Sequence, residues 1–357
     1  MVSQLTLKSI GFVLVSLAIA IFVYFTLIPI GRPLSFTSHR SESKMNGGRE
    51  GSSVSVNKFG KVGRVYNQND KLKRHIPQAM IVGIKKCGTG PLRSFLNFHP
   101  SVVARDLEVH YFDRYYANGI DWYIQQMPPA RDDQITVEKT PRYFVEPDVP
   151  GKIYKEFSPK TKIIIVACEP TKRAISDYVH TYKHTINAER TIQRKAHNSE
   201  KYQKEKTRLE RYFKAGYLVN DTFESTILDA NGNINENSAV VENGIYVKYL
   251  RNWLNVFPLT QIHVVDGEIF KSNPAREMVK LQSFLDIEPF FFEDSFYFDK
   301  EKGFFCLKRP ERYCLGKNKG RTHPDIDKNA FNALAEYYKP FNKDFSRVLN
   351  QSFSWIS

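Results

Sequence analysis

Acidic residues are in short supply. Across 357 residues, 38 Asp and Glu face 52 Lys and Arg, a formal net charge of +14. Such a deficit favours polyanionic partners: nucleic acid, anionic lipid or a sulfated polysaccharide. No internal repeat is present, which excludes a solenoid. Long apolar runs are absent except for one, Ile10 to Ile30, which carries no charged residue. At about 1.5 Å per residue that run spans the roughly 30 Å of a hydrocarbon core. It is longer than the apolar core of a cleaved signal peptide, and Phe22, Tyr24, Phe25 and Leu27 crowd the end where small residues are needed. The reading is a single signal-anchor of a type II protein: cytoplasmic tail 1–8, transmembrane segment 9–30, flexible stem 31–74 and lumenal domain 75–357. The stem is rich in Ser, Gly, Arg, Lys and Asn without apolar periodicity. A lumenal polyanion is then expected rather than nucleic acid.

Cysteine is also sparse, with Cys87, Cys168, Cys306 and Cys314 only. Cys306 and Cys314 flank KRPERY, and in a secretory compartment they are expected to form a local disulfide. The sequons at Asn220 and Asn350 permit lumenal glycosylation.

Past Pro77, short apolar runs alternate with helical stretches. Strands are predicted at Ala79 to Ile84, Gln134 to Glu138, Lys162 to Ala167 and Gln261 to Val265. Helices are predicted from Pro91, over Ala174 to Thr185, within the charged stretch Glu189 to Lys214, and over Ile326 to Tyr338. Strands alternating with helices indicate an α/β domain with a central, mostly parallel sheet flanked by helices. In such sheets ligands sit beyond the carboxyl ends of the strands, where Lys86, Lys139, Cys168 and Asp266 fall.

The first of these strands runs into IVGIKKCGTG, Ile81 to Gly90. The turn has glycine and lysine but lacks a Lys directly after Gly88. That absence excludes the usual triphosphate loop with its magnesium-binding Ser or Thr. The arrangement suits a phosphate or sulfate group and makes no provision for a metal. Alone it is a weak signal, as any strand with a basic, glycine-containing turn would match. LEVHYFD brings Glu108, His110 and Asp113 together; VEKTPRYF sets Lys139 at a strand end; CEPTKRAISDY places Arg173 and Ser176 at a helix start; GKNKGRTHP is a basic loop.

Taken together, IVGIKKCGT, EVHYFD, GIDWYIQQMP, ITVEKTPRYF, EPTKRAISDY, FPLTQIHVVDGE, FYFDKEKGFFCL and KGRTHP resemble the heparan sulfate glucosamine 3-O-sulfotransferases, Golgi type II enzymes, and among them the type-5-like members. The resemblance covers nearly all of residues 77 to 356 and implies a single sulfotransferase domain of the phosphate-loop-kinase-like type. It implies sulfuryl transfer from 3′-phosphoadenosine 5′-phosphosulfate to the 3-hydroxyl of glucosamine units in heparan sulfate, without a metal. Glu108 matches the general base that the poorly nucleophilic hydroxyl needs. His110 and Asp113 match residues that orient it or contact the sugar. Lys86 and Lys139 match the lysines at the phosphosulfate and the transferring sulfuryl, where fixed cations stabilise the developing charge. Gly88, Thr89, Arg173, Ser176, Lys319, Gly320 and Arg321 match donor-binding positions.

The chain departs from the family pattern at Cys87, Gly90, Cys168 and Arg142. Cys168 stands where an arginine is usual and cannot make a charge-assisted bond to the 3′-phosphate, a loss of about 1.5–3 kcal/mol. The alternative function is therefore a catalytically weak relative that binds heparan sulfate. Cys87 and Cys168 both follow strand ends on the ligand side. Either they pair in an oxidising lumen, or both are small buried fillers.

Overall fold

Two of the five central strands, AMIVG and KIIIVA, are apolar runs, and the sheet they belong to explains their composition. The computed structural model describes residues 71–157, 159–194, 199–214, 222–316 and 325–356. The expected tail, the anchor 9–30 and the stem up to residue 70 lie outside these. Among the described residues no helix is long and apolar enough to cross a membrane.

The strands in chain order are β1 (Lys73–Arg74), β2 (Ala79–Gly83), β3 (Val102–Ala104), β4 (Pro129–Ala130), β5 (Ile135–Lys139), β6 (Lys162–Ala167), β7 (Ile262–Asp266), β8 (Phe296–Asp299) and β9 (Phe304–Leu307). Five of them form one sheet in the order β3-β5-β2-β6-β7, and every pairing in it is parallel. Parallel sheets are covered on both faces, so their strands read as continuous apolar runs rather than alternating ones. AMIVG of β2 is buried at every position, and KIIIVA of β6 at all but Lys162. The three-residue β3 gave no sequence signal of its own; it is set by pairing Val102 to Ala104 with Ile135 to Val137. Two small antiparallel pairs, β1 with β4 and β8 with β9, stand apart.

Helix α1 (Thr89–Leu96) follows β2, and α2 (Pro170–Arg194) follows β6. The latter is about twice as long as the sequence predicts. It starts early because the Glu169 carboxylate accepts the Thr171 and Lys172 N–H groups at 2.9 and 2.7 Å, capping the first turn. Its far end absorbs the charged stretch expected from Glu189, and a second helix, Glu200–Lys214, packs beside it. Helix α3 (Gly267–Ser272) follows β7, capped by Asp266. The last helix, α4 (Lys328–Leu349), runs past the predicted end at Tyr338 despite Pro340. Burial of Tyr338, Asn342, Phe345 and Leu349 along one side carries it through the proline, which alone would stop a helix.

Between β5 and the next helix, Pro141–Val145 crosses closely over β2. A Cβ on Gly83 would run into the Phe144 side chain, so glycine is what permits that crossing. Just before it lies Glu138, wholly buried in β5. It accepts from the Thr140 hydroxyl and, at 3.5 Å, from the Val109 N–H, while its second carboxyl oxygen has no partner. Burial pushes its carboxyl up to about 7 against the opposing pull of these hydrogen bonds. The folded state therefore holds this proton more tightly than the unfolded chain. Stability from this group is fully present below about 4.5 and is lost as pH rises to about 7. The loss is on the order of 3 kcal/mol. Glu138→Gln is expected to flatten that part of the stability curve, measured by denaturant unfolding at pH 5 and 7.5; an unchanged slope would contradict the assignment.

Candidate functional site

The carboxyl ends of β2, β5 and β6 share one edge of the sheet. Ile81 lies opposite both Lys139 and Ile164, and the Thr140 N–H donates to the Ile81 carbonyl at 3.2 Å. The loop leaving β2, the end of β5 and Cys168 therefore meet at one place, as the sequence predicts.

In the loop, Lys86 has φ 78° and Gly88 φ 102°, both left-handed. That is unstrained for glycine but costly for lysine. Gly88 is the N-cap of α1 and no side chain caps the helix, so its first N–H groups and the turn form a cradle suited to an anion. Thr89 is buried at the first helical position. Cys87 and Cys168 are joined as a disulfide with their Cα atoms 5.3 Å apart. Of the two readings left open by the sequence, the pairing is the one found. Cys306 and Cys314 are also bonded, closing the short loop after β9 as expected.

Glu108, His110, Asp113 and Lys139 come together. Lys139 Nζ donates to Glu108 Oε1 at 2.6 Å. His110 Nε2 lies 3.3 Å from Glu108 Oε2, and its Nδ1 2.9 Å from Asp113 Oδ2. Both ring nitrogens face carboxylates, so both act best as donors and the imidazolium is favoured. Burial would lower the His110 pKa, but the Asp113 and Glu108 hydrogen bonds outweigh it and the net shift is upward. His110 holds this position with a left-handed backbone, φ 56°. The Asp113 carboxylate is only 3% exposed and also meets Arg114 at 3.3 Å. Glu108 keeps 38% of its side chain exposed. Its burial would raise its carboxyl, but His110 and Lys139 hold it down at about 2.

One predicted position, Arg173, needs correction, and one residue, Lys85, is added. Arg173 is not open to a donor molecule: its guanidinium is completely buried, pairs with Asp177 at 3.1 Å and donates to the Val240 carbonyl. Its place in the first turn of α2 on the core side is the reason. Ser176, further along the same helix, is half-buried. The extension is Lys85, which the sequence reading passed over in favour of Lys86. Its Nζ lies 2.8 Å from the fully buried Asp177. Burial would raise Asp177, yet Lys85 and Arg173 bring it down to about 2. Lys86 is close enough to His180 on α2 to help push that imidazole down to about 3, after burial and Lys85. Asp266 proves structural, capping α3 and accepting from the Ser354 N–H at 2.9 Å. Arg142 pairs with Glu146 four residues on. Glu138 and Thr140, which hold the backbone of Val109 and His110, were missed; a charged residue one position before Lys139 in an apolar strand was the available signal.

Lys319, Gly320 and Arg321 lie outside the described residues, as does Asn220. Asn350 is exposed at the end of α4 with φ 49°.

The sulfotransferase domain family matches residues 77–343. The crystal structure of a sulfotransferase from Alicyclobacillus acidocaldarius superposes with a TM-score of 0.50 at 17% identity, covering 78% of this chain and 98% of that one, and supports the fold. Human heparan sulfate glucosamine 3-O-sulfotransferase 3A1 is 38% identical over 292 residues, 80% of this chain; the chain spans 64% of that relative's length. Human heparan sulfate glucosamine 3-O-sulfotransferase 6 is 38% identical over 289 residues, covering 75% of its length. Mouse heparan sulfate glucosamine 3-O-sulfotransferase 5 is 35% identical over 289 residues, also covering 75% of its length. With the parallel sheet, the anion cradle and the carboxylate–lysine cluster at one edge, these similarities establish that the chain belongs to the heparan sulfate glucosamine 3-O-sulfotransferase family.

Proposed function

We propose that the protein transfers a sulfuryl group from 3′-phosphoadenosine 5′-phosphosulfate to the 3-hydroxyl of glucosamine units in heparan sulfate. The observation that carries the reading is the Lys139–Glu108 pair at 2.6 Å beside the loop of Lys86 and Gly88. In the reaction the sulfur–oxygen bond to the phosphate breaks and a bond to the sugar oxygen forms. Glu108 takes the hydroxyl proton, and the leaving phosphate departs as 3′,5′-diphosphoadenosine. Lys86, the Gly88 turn and the start of α1 hold the phosphosulfate; Ser176 and the Lys319–Arg321 segment take the 3′-phosphate end. His110, fixed by Asp113, orients Glu108.

We also propose that residues 9–30 anchor the protein in the Golgi membrane with residues 75–357 in the lumen. Two disulfides in the folded domain suit an oxidising compartment, and the exposed Asn350 suits glycosylation there. Protease added to intact microsomes is expected to spare the domain; its digestion would refute the orientation.

Transfer of labelled sulfate to heparan sulfate tests the activity. Glu108→Gln is expected to lower the rate by roughly 100-fold or more, the usual contribution of a general base, with binding of 3′,5′-diphosphoadenosine retained. Absence of transfer by the unaltered protein, with heparan sulfate still bound, would instead indicate a glycan-binding relative.

Lys139 has a second, separable effect. Its ammonium helps to hold Glu108 at about 2. Removing a cation from beside a carboxylate raises that carboxyl's pKa. Lys139→Ala is therefore expected to cut kcat and to move the acid limb of the residual pH–rate profile to higher pH. A reduced rate with an unmoved acid limb would show that Lys139 does not control the base.

A further inference from the structure

The turn that would hold the donor's anionic groups contains a costly conformation, the left-handed backbone of Lys86. Lys86 and Gly88 are both left-handed, and Cys87 sits between them. On the strand side the Ile84 N–H donates to the Val166 carbonyl at 3.0 Å, and within the turn the Cys87 N–H closes back on the Ile84 carbonyl at 3.1 Å. A lysine with positive φ gains by relaxing out of it. Two ties oppose relaxation: Lys85 lies on the buried Asp177 at 2.8 Å, and a covalent one is lodged at Cys87. Its sulfur is bonded to Cys168 at the end of the neighbouring strand, 81 residues away, and both residues are buried.

The bond is itself seated. The buried Tyr246 hydroxyl donates to the Cys168 carbonyl at 2.9 Å and lies 3.7 Å from Cys87 Sγ. On the other side Gly267 packs so closely that a Cβ there would stand 2.8 Å from the Ala167 carbonyl oxygen, 3.0 Å from that of Cys87 and 3.1 Å from Cys168 Cβ. The first residue of α3 thus presses on both ends of the cross-link.

We propose that the Cys87–Cys168 disulfide, seated by Tyr246 and Gly267, is a positioning element that pre-forms the anion cradle and thereby sets affinity for the sulfuryl donor. The inference rests on the donor-binding reading of this loop. Pre-forming a binding turn raises affinity because the ordering cost is met during folding rather than on binding. An element that positions only the donor loop acts on donor affinity and leaves acceptor binding alone, whereas a merely structural link lowers stability without that selectivity.

The test compares the full chain with Cys87→Ser/Cys168→Ser, well below the melting temperature of each. Binding of 3′,5′-diphosphoadenosine is read by calorimetry, and KM is measured for donor and for heparan sulfate separately. Donor affinity is expected to fall about tenfold, with the heparan sulfate KM within twofold. Should the double variant not fold, Tyr246→Phe and Gly267→Ala, which leave the bond in place, decide the matter: each is expected to weaken diphosphoadenosine binding by several-fold. Unchanged diphosphoadenosine affinity in the folded variants would overturn the proposal. Mass spectrometry finding Cys87 and Cys168 free in the native protein would overturn it as well. If the unaltered protein itself does not bind diphosphoadenosine, the donor-binding reading fails first, and the two failures are distinguishable.

Discussion

The parallel register of β2 between β5 and β6 is the constraint from which the site follows. Ile81 opposite Lys139 on one side, with β6 alongside on the other, brings three strand ends to one edge. Residues 86, 108, 139 and 168 are distant in the chain, and no local preference would gather them. A one-residue slip of either neighbour would turn its side chains to the opposite face. Lys139 would leave Glu108, and Cys168 would leave Cys87. Complete burial of the β2 sequence makes such slips costly on both faces, so the apolar core specifies the polar site.

That logic separates what the sequence makes legible from what it hides. The two innermost apolar strands announce themselves as runs, AMIVG and KIIIVA, and the second is found at its predicted bounds. The joint order of the loop, EVHYFD and EKTPRYF segments identifies the cluster of Glu108, His110, Asp113 and Lys139. Helix lengths are less legible, because α2 depends on a cap from Glu169 and α4 on burial beyond Pro340. Arg173 shows the failure most plainly. It matches a donor-binding position near Ser176 at the start of a helix, but the packing of α2 buries its guanidinium in the core, where Asp177 receives it. Sequence proximity cannot report which side of a helix meets solvent until the helix's packing is known.

The cluster also alters the meaning of the chain's +14 charge. The site is not a bare positive cradle. Lys139 lies on Glu108, Lys85 on Asp177, Arg114 on Asp113 and Arg142 on Glu146. A substrate anion therefore competes with a carboxylate already present, and the outcome depends on whether that carboxylate can be given back to water. Asp177 has no solvent exposure, and stranding it would leave a buried charge poorly compensated, so Lys85 is held where it is. Glu108 is more than a third exposed. Water can take over part of its solvation, which makes Lys139 more readily shared than Lys85.

On the proposed reaction, that difference orders the chemistry. Paired with Lys139 and His110, Glu108 is held at about 2 and is a poor acceptor for a hydroxyl proton. As Lys139 is drawn toward charge developing on the transferring group, its hold on Glu108 weakens and the carboxylate becomes more basic. The ammonium that stabilises the transferring group thereby releases the base at the same moment. His110 remains bound to Asp113, which keeps the carboxylate aimed while its basicity changes. On that proposed reading, a single lysine shared between two anions would couple proton removal to sulfuryl transfer.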